Sequence, residues 1–457
     1  MKKTKKIGIY WGIFLISAVF YLLFFVNDGV ILTEDANSYI IMETNREPFY
    51  CSFLWLLRIL FKEDVYLKVA AIIQCLVAAL AAASLTVSFQ SRFSLSKMAT
   101  AAVLLLQYSI TILNRFVAQR RYSYYNSIET EGLAYSIWIF FFLTIVEILY
   151  DKDKKAVIKA ILWSIVLISI RKQMLFSLGV LLIAVLIAFW NRRKWYQSVI
   201  IAFISVLICF LGNKLIDCEY NYLTRGVFEE HTGDASFIFG TQIYMANSNM
   251  AEVISNDEYR QLFLEIMQEA DKKEYHVSYA PDSALAMQEH YSLCYDRIKF
   301  DIVNPVIRAY QDEHGIPEEE REANSSLILS EMVRNLLKPT LPSIVKLFWI
   351  NVLQGLVVTV SFKKQTFLYF YALIVYLFFI ASQIYLVKKR NMKTLLVSFI
   401  CLISILGNVV ITSATIYCQT RYMLYNTALF YQVGLLILAE LIQERHKYEK
   451  NENGVIH

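Results

Sequence analysis

Residues Ile7–Tyr50 read IGIYWGIFLISAVFYLLFFVNDGVILTEDANSYIIMETNREPFY, an apolar run followed directly by a charged loop. The apolar part, Ile7–Val26, holds about 20 residues, which at about 1.5 Å each match the ~30 Å hydrocarbon core of a bilayer. No small-residue cleavage site follows it, so we expect a first membrane-spanning helix that is retained. The loop then gathers charged side chains, among them Glu34, Asp35, Glu43, Arg46 and Glu47. The stretch therefore predicts a membrane protein with ionisable groups held at the bilayer surface.

The composition of the whole chain places it among polytopic membrane proteins. Of 457 residues, 57% are hydrophobic and only 18% are charged, whereas soluble proteins carry about 25% charged residues. The mean hydropathy is +0.45. The net charge of +5 comes from short basic clusters at Lys2–Lys6, Asn191–Lys194 and Lys388–Lys393. Such clusters mark cytoplasmic loops and argue against a nucleic-acid partner.

The first 216 residues predict about seven spans joined by short turns. With Lys2–Lys6 in the cytoplasm, the loop after the first span lies outside, and Phe49–Phe61 is too short to cross, so it is expected to lie in the interface. The further predicted spans are Tyr66–Phe89, Met98–Leu113, Gly132–Tyr150, Ala156–Ile170, Met174–Trp190 and Ser198–Ile216. A second outer loop, residues 114–131, separates the third span from the fourth.

Residues 217–341 are too long for a loop and predict an extracytoplasmic, mostly helical domain. Asn256 is placed to cap an amphipathic helix. Pro317, followed by three glutamates, predicts another helix start. Gly233–Tyr244 is the best candidate for a strand.

The last part, residues 342–457, contains four apolar stretches. Three predict spans, Thr366–Val387, Thr394–Ser413 and Met423–Leu441. Four crossings would put Lys388–Lys393 and the basic C-terminal tail outside, against the usual charge bias. We therefore expect Ser343–Val360 to lie in the interface or to re-enter, which leaves both termini cytoplasmic. The fold class is an all-α polytopic membrane protein of about 10–11 transmembrane helices.

The seven cysteines show no CxxC or Cys/His spacing, so no metal site is predicted and no divalent cation is indicated. Cys218 and Cys294 fall in the same predicted external domain, but free thiols are the expected state.

The predicted topology brings charged residues from distant parts of the chain to one side of the membrane. They come from the first loop, the second loop, the tip of a short helical hairpin and the turn before the last span. Guanidinium groups match phosphate oxygens, aromatic rings pack on lipid or sugar, and a carboxylate can act as a general base. The residues of this predicted site are Glu34, Asp35, Arg46, Glu47, Arg120, Arg121, Glu131, Arg171, Lys172 and Arg421.

Several short motifs resemble the GT-C glycosyltransferases, such as protein O-mannosyltransferases and bacterial aminoarabinose transferases. Glu34–Tyr39 and Arg46–Tyr50 resemble the first external loop of that family. Thr130–Ala134 resembles the acidic start of its fourth span, and Arg171 and Arg421-Tyr422 occupy similar places. The resemblance covers the seven-span module well and the last third loosely.

The resemblance implies a polyprenyl-phosphate-linked sugar donor, a reaction outside the cytoplasm and inversion at the anomeric carbon. The acceptor would be a glycan, lipid or protein of the cell envelope. Asp35 is then the candidate catalytic base, with Glu34 as its rival, and Arg120, Arg121 or Arg171 would stabilise the departing phosphate. The remaining residues of the predicted site, Arg46, Glu47, Glu131, Lys172 and Arg421, are predicted to contact substrate. The second loop carries Glu129 and Glu131 in place of a paired-acid motif, which departs from the family pattern.

Other interpretations of the same residues stay open. Glu34 and Asp35 can be solvated acids or a helix cap, Arg46-Glu47 a local ion pair, and Arg171 and Lys172 snorkelling charges. A polysaccharide polymerase or ligase shares the many spans and the large external loop. A transporter or flippase would instead place ionisable residues and broken helices at mid-membrane.

Overall fold

The computed structural model describes residues 3–117, 122–190, 194–232, 234–363 and 365–453. Helices account for 84% of the structure, and ten of the described helices are long and apolar enough to cross a membrane. The predicted all-α polytopic fold is therefore confirmed.

Each of the seven spans predicted before residue 217 coincides with an observed helix. The helices of this part are α1 Lys3–Asp28, α2 Ala36–Ile40, α3 Pro48–Leu60, α4 Tyr66–Phe93, α5 Lys97–Phe116, α6 Glu131–Asp151, α7 Lys154–Ile170, α8 Phe176–Phe189 and α9 Trp195–Arg225. α7 has 17 residues and is not among the ten candidate spans, whereas α8 reaches 18 residues together with the short helical turn Lys172–Leu175 before it. α6 is the most enclosed of those ten, with 83% of its most apolar stretch buried, so it forms the centre of the bundle.

Two short strands tie the first loop to the second. β1 (Ile31–Leu32) pairs in parallel with β2 (Ser127–Ile128), with Ile31 opposite Ser127. The Thr33 hydroxyl donates to the Ile128 carbonyl at 3.2 Å, and the Asn126 amide donates to the Gly29 carbonyl at 2.9 Å. The two predicted outer loops are thereby held together as one layer.

Side-chain pairs identify which helix termini share an end of the bundle. At one end Arg115, near the end of α5, pairs with Asp28 of α1 at 3.0 Å; we call this the Asp35 end. At the other end Arg92 pairs with Asp151 at 2.7 Å, and the Tyr150 hydroxyl donates to the Lys393 carbonyl; we call this the Lys393 end. The chain segments at Arg92, Asp151 and Lys393, which were predicted to be turns on the cytoplasmic side, therefore lie at the same end of the bundle.

A helical domain with its own apolar core lies beyond the Asp35 end. Its helices are α10 Asp234–Met245, α11 Asp257–Lys272, α12 Ala284–Ile298, α13 Asn304–Glu313 and the first half of α14, Arg321–Ser361. The Asn256 side chain caps α11, accepting from Glu258 N at 2.9 Å and Tyr259 N at 3.3 Å, as predicted. The strand suggested for Gly233–Tyr244 is wrong: residues 234–245 are helical because Phe239 and Ile243, one turn apart, both enter the core.

α14 runs without interruption across the domain boundary predicted between residues 341 and 342. It contains Pro339 and Pro342 and is one of the ten candidate spans by length and composition. A re-entrant turn within 343–360 is therefore wrong, because the helix does not reverse. Its last turn lies at the Asp35 end, where the Phe362 carbonyl accepts a hydrogen bond from the Thr420 hydroxyl at 3.1 Å.

Three more helices complete the fold: α15 Thr366–Lys388, α16 Met392–Thr415 and α17 Thr420–Asn453. α15 runs from the α14 terminus towards the Lys393 end, α16 returns, and α17 starts beside Phe362 at the Asp35 end. The α16–α17 loop, residues 416–419, therefore lies beneath the helical domain.

Candidate active site

Asp35 and Arg46 form an ion pair within the first loop. Arg46 Nη2 lies 2.8 Å from Asp35 Oδ1, and Arg46 Nε donates to the Ser38 hydroxyl at 2.7 Å. The guanidinium also lies over the Tyr39 ring, 4.5 Å from its centre. Asp35 precedes α2 and makes no side-chain capping bond to it, so its carboxylate is engaged by arginine rather than by the helix terminus.

A second ion pair, between Glu131 and Arg171, is more deeply buried. Glu131 starts α6 and Arg171 follows α7, and their side chains are 2% and 15% exposed. Arg171 Nη1 pairs with Glu131 Oε1, and the Thr130 hydroxyl donates to Glu131 Oε2 at 3.1 Å. The Arg171 guanidinium also lies over the Tyr422 ring at 4.6 Å. A carboxylate this enclosed is stable only with such partners.

Arg421 joins the two pairs into one cluster. Its Nη1 lies 3.5 Å from Asp35 Oδ2, and its Nε lies 3.7 Å from Glu131 Oε1. Nη2 donates to the Tyr422 hydroxyl at 2.9 Å, while the Arg421 carbonyl accepts from the Tyr135 hydroxyl at 2.6 Å. The buried Nε makes no hydrogen bond to any residue that the structure describes. We call Asp35, Arg46, Glu131, Arg171 and Arg421 the charge cluster.

The segments that carry the cluster arginines are fixed by neutral hydrogen bonds. The Gln173 amide donates to Asn408 Oδ1 at 2.7 Å and to the Tyr422 carbonyl at 2.8 Å. The Asn408 amide donates to the same carbonyl at 2.8 Å. These bonds lock the α7–α8 turn against the start of α17, so Arg171 and Arg421 are held in a fixed relation.

The charge cluster has three guanidinium groups and two carboxylates, which leaves one positive charge in excess. Partial burial opposes ionisation of Asp35, but the nearby charges of Arg421, Arg46 and Arg171 outweigh it and lower its pKa to about 2. Asp35 is therefore an anion at any physiological pH, and its low pKa makes it a weak base. The arrangement suits an anionic ligand that can share the arginines.

Glu47 and Lys172 meet beside the charge cluster, not within it. The Lys172 backbone N–H donates to Glu47 Oε1 at 2.9 Å. Next to them His231 Nδ1 lies 2.5 Å from Asp217 Oδ2, with both side chains almost fully buried. Burial lowers the pKa of His231, but the hydrogen bond to Asp217 and the charge of Glu47 raise it above its ordinary value overall.

The remaining predicted site residues have separate outcomes. Glu34 forms no ion pair with any residue in the described part of the chain, unlike its neighbour Asp35. Arg120 and Arg121 lie outside the described residues. All seven cysteines are free, as expected for Cys218 and Cys294.

Sequence reasoning missed two charged residues of the helical domain, Asp296 and Lys299. Both lie close enough to the cluster for Asp35 to act on their pKa values. Asp296 also accepts a hydrogen bond from the Tyr417 hydroxyl at 3.4 Å. Asp296 lies on α12 and Lys299 directly follows that helix, far along the chain from Asp35, and no motif marks them.

Among the described residues, no group of three or more His, Cys, Asp or Glu side chains is placed to hold a metal ion. No protein-family model, curated protein or solved structure matches this chain. The fold and the site thus define an all-α multi-pass membrane protein with a buried carboxylate–guanidinium cluster at one end of its bundle.

Proposed function

We propose that this protein is a membrane glycosyltransferase of the GT-C type. It transfers a sugar from a polyprenyl-phosphate-linked donor to a cell-envelope acceptor outside the cytoplasm. The observation that carries the proposal is the charge cluster: three guanidinium groups and two carboxylates, contributed by four separate segments, meet where the helix bundle reaches the helical domain.

The position of the cluster suits a donor with a phosphate head and an apolar tail. An arginine presents paired N–H donors that match phosphate oxygens, and this match is stronger where protein excludes water. Arg171 and Arg421 are each only 15% exposed, and Tyr422 supports both. The prenyl tail would remain in the bilayer while the phosphate enters the cluster.

The chemistry requires the stabilisation of charge that develops during transfer. The acceptor hydroxyl attacks the anomeric carbon, the bond from that carbon to the phosphate oxygen breaks, and the electron pair leaves with the phosphate. Positive charge grows on the sugar ring and negative charge grows on the phosphate. Arginines already fixed in place stabilise the phosphate, and one such preorganised donor contributes about 2.7–4 kcal/mol in related oxyanion sites.

The orientation belongs to the same proposal. With the N-terminal lysines in the cytoplasm, the Lys393 end faces the cytoplasm and the Asp35 end faces outward, which follows the positive-inside bias. The basic residues Lys388–Lys393 then lie inside, and the helical domain lies outside over the cluster.

A glycan profile of the cell envelope tests the proposal in strains with the gene, without it, and with Asp35→Asn. We expect one glycan modification to disappear in the deletion and to fall strongly with Asp35→Asn, because Arg46 and Arg421 lose their common anion. Glu34→Gln is the matched control, since Glu34 neighbours Asp35 but joins no ion pair among the described residues, and it should keep the wild-type profile. An unchanged profile in both the deletion and Asp35→Asn would contradict the proposal and favour transport or an inactive scaffold.

A further inference from the structure

A rare helical irregularity lies in the helical domain above the charge cluster. α12 passes into a π-helical turn at Lys299–Val303 before α13 begins at Asn304. Pro305 follows at once, and because proline has no N–H it cannot continue the normal ladder. π-helical turns are uncommon and frequently occur at functional sites. Lys299 begins this turn and Asp296 lies three residues before it, so the two share one helix face.

Asp296 is oriented by the α16–α17 loop, which directly precedes Arg421 in the chain. The Tyr417 hydroxyl donates to Asp296 Oδ2 at 3.4 Å, and the Gln419 amide donates to the Tyr417 oxygen at 2.6 Å. The Tyr417 ring also contacts the Tyr295 ring of α12, with centres 5.8 Å apart. The α16–α17 loop and α12 are therefore joined, which places Asp296 beside the segment that leads into Arg421.

Asp296 and Asp35 differ in acidity. Partial burial raises the pKa of Asp296, and the negative charge of Asp35 raises it further, against the opposing effects of Arg421, Tyr417 and Lys299. The residue nevertheless keeps a face open to water. The pKa of Asp35, in contrast, is lowered to about 2. Where the environments of two carboxyl groups in one site push their pKa values apart, the group with the higher pKa commonly transfers protons and the other stays ionised.

The two carboxylates also differ in their contacts. Asp35 contacts two arginines directly, at 2.8 and 3.5 Å, so it belongs to the region where a donor phosphate would bind. In the direct displacement proposed above, the acceptor hydroxyl attacks the anomeric carbon as the phosphate leaves, so its base must be a carboxylate that the phosphate-binding arginines do not occupy. Asp296 is carried by a different element, has a water-accessible face and contacts no arginine among the described residues.

We propose that Asp296 is the general base that takes the proton of the acceptor hydroxyl, and that Asp35 positions Arg46 and Arg421 for the donor phosphate. The inference rests on the proposed sugar transfer and assigns its proton acceptor. The O–H bond of the acceptor breaks, its proton passes to the Asp296 carboxylate, and its oxygen bonds to the anomeric carbon. The phosphate leaves with the electron pair of the broken carbon–oxygen bond, and no oxidant or reductant is required.

Full-length protein in lipid nanodiscs tests the assignment. A panel of synthetic polyprenyl-phosphate hexoses and pentoses serves as donor, membranes from the deletion strain serve as acceptor, and sugar transfer and polyprenyl phosphate release are both measured. We expect Asp296→Asn to lower kcat at least about 10²-fold with little change in the donor KM, and Asp296→Glu to recover part of the loss. Arg297→Gln is the matched control, because it changes the adjacent charge while leaving Asp296 intact, and it should retain kcat.

The pH profile distinguishes a base from a merely structural residue. The acidic limb of the kcat profile should disappear in Asp296→Asn and should persist, at a lower rate, in Asp35→Asn. Wild-type kcat in Asp296→Asn, or loss of the acidic limb in Asp35→Asn instead, would overturn the assignment of the base while leaving the transfer reaction in place. Absence of transfer by the wild-type protein with every donor would overturn the transfer itself and the assignment with it.

Discussion

At the scale of single residues, Glu34 and Asp35 show how environment separates two neighbouring acids. Asp35 is held by Arg46 at 2.8 Å and by Arg421 at 3.5 Å, while Glu34 has no such partner among the described residues. The Asp35 carboxylate is therefore held in place by its partners, whereas the Glu34 carboxylate is exposed to solvent. The difference depends partly on Arg421, which lies near the C-terminus of the chain. The sequence around Glu34 and Asp35 therefore cannot predict it.

The lowered pKa of Asp35 predicts a specific loss of stability in acid. The ordinary value is 3.8 and the folded value is about 2. The stabilisation from ionised Asp35 is therefore complete above pH ~4 and is lost as the pH falls from about 4 to about 2. Thermal unfolding in detergent between pH 6 and pH 2.5 should show a smaller acid-induced decrease in Tm for Asp35→Asn than for the wild type. Glu34→Gln should follow the wild-type curve, and identical acid losses in wild type and Asp35→Asn would contradict the prediction.

Glu131 gives a second prediction at this scale. Its carboxylate is 2% exposed and contacts both Arg171 and Arg421. Removal of one partner from such a buried pair costs about 3–5 kcal/mol, because a charge remains without compensation. We expect Glu131→Gln to lower the free energy of unfolding in detergent by that amount. Arg171→Met in the Glu131→Gln background should restore part of the loss, and additive losses in the double variant would exclude coupling between the two side chains.

At the scale of helices, apolar run length and charge placement were sufficient to predict most of the architecture. The α11 cap at Asn256 and the seven early spans follow from local patterns that act within a few turns. The two incorrect predictions, at residues 234–245 and in α14, arise instead where long-range packing determines the structure. Residues 234–245 form a helix because their apolar face packs into the domain core, and α14 continues through Pro339 and Pro342 because it packs against α10, α16 and α17. Both depend on neighbours that the local sequence does not specify.

The start of α6 shows how packing between helices places a charged residue of the cluster. Gly132 follows Glu131 and lies against the Gln74 side chain of α4. A Cβ at Gly132 would lie 2.7 Å from Gln74 Cδ. The Gln74 amide donates to the Ser127 carbonyl at 2.9 Å and accepts from the Tyr50 hydroxyl at 2.9 Å. Gln74 therefore cannot move away without breaking bonds that hold the second loop.

Gly132→Ala is accordingly expected to destabilise the protein by about 1–3 kcal/mol, the cost of leaving buried polar groups unpaired. It should also reduce sugar transfer, because Glu131 and its arginines shift with the start of α6. Gly434→Ala is the matched control, since Gly434 lies inside α17 with no atom within 4 Å of the new Cβ, and alanine favours a helix by up to about 1 kcal/mol. Thermal unfolding of both variants in detergent decides the point, and equal Tm values for the two would contradict it.

At the scale of the whole molecule, the site exists only through long-range assembly. The first loop supplies Asp35 and Arg46, the start of α6 supplies Glu131, and the α7–α8 turn and the start of α17 supply the other two arginines. The sequence-based topology correctly brought these segments to one end of the bundle, because alternating crossings determine which loops share a side. It could not determine which side chains touch, nor that Asp296 of the helical domain contacts the loop that leads into Arg421.

The same alternation predicts which compartment each end faces. The last turn of α14 lies beside Thr420 at the Asp35 end, so α15 starts there and the turn after it lies at the Lys393 end. All seven native cysteines are buried, so an added surface cysteine reports its own accessibility. A membrane-impermeant maleimide applied to intact cells or spheroplasts should label Glu265→Cys, in the helical domain, and should label Lys389→Cys only after permeabilisation. Labelling of both from outside would show that α14 crosses the membrane. Labelling of Lys389→Cys alone would place the charge cluster on the cytoplasmic side, where a reaction outside the cytoplasm is impossible.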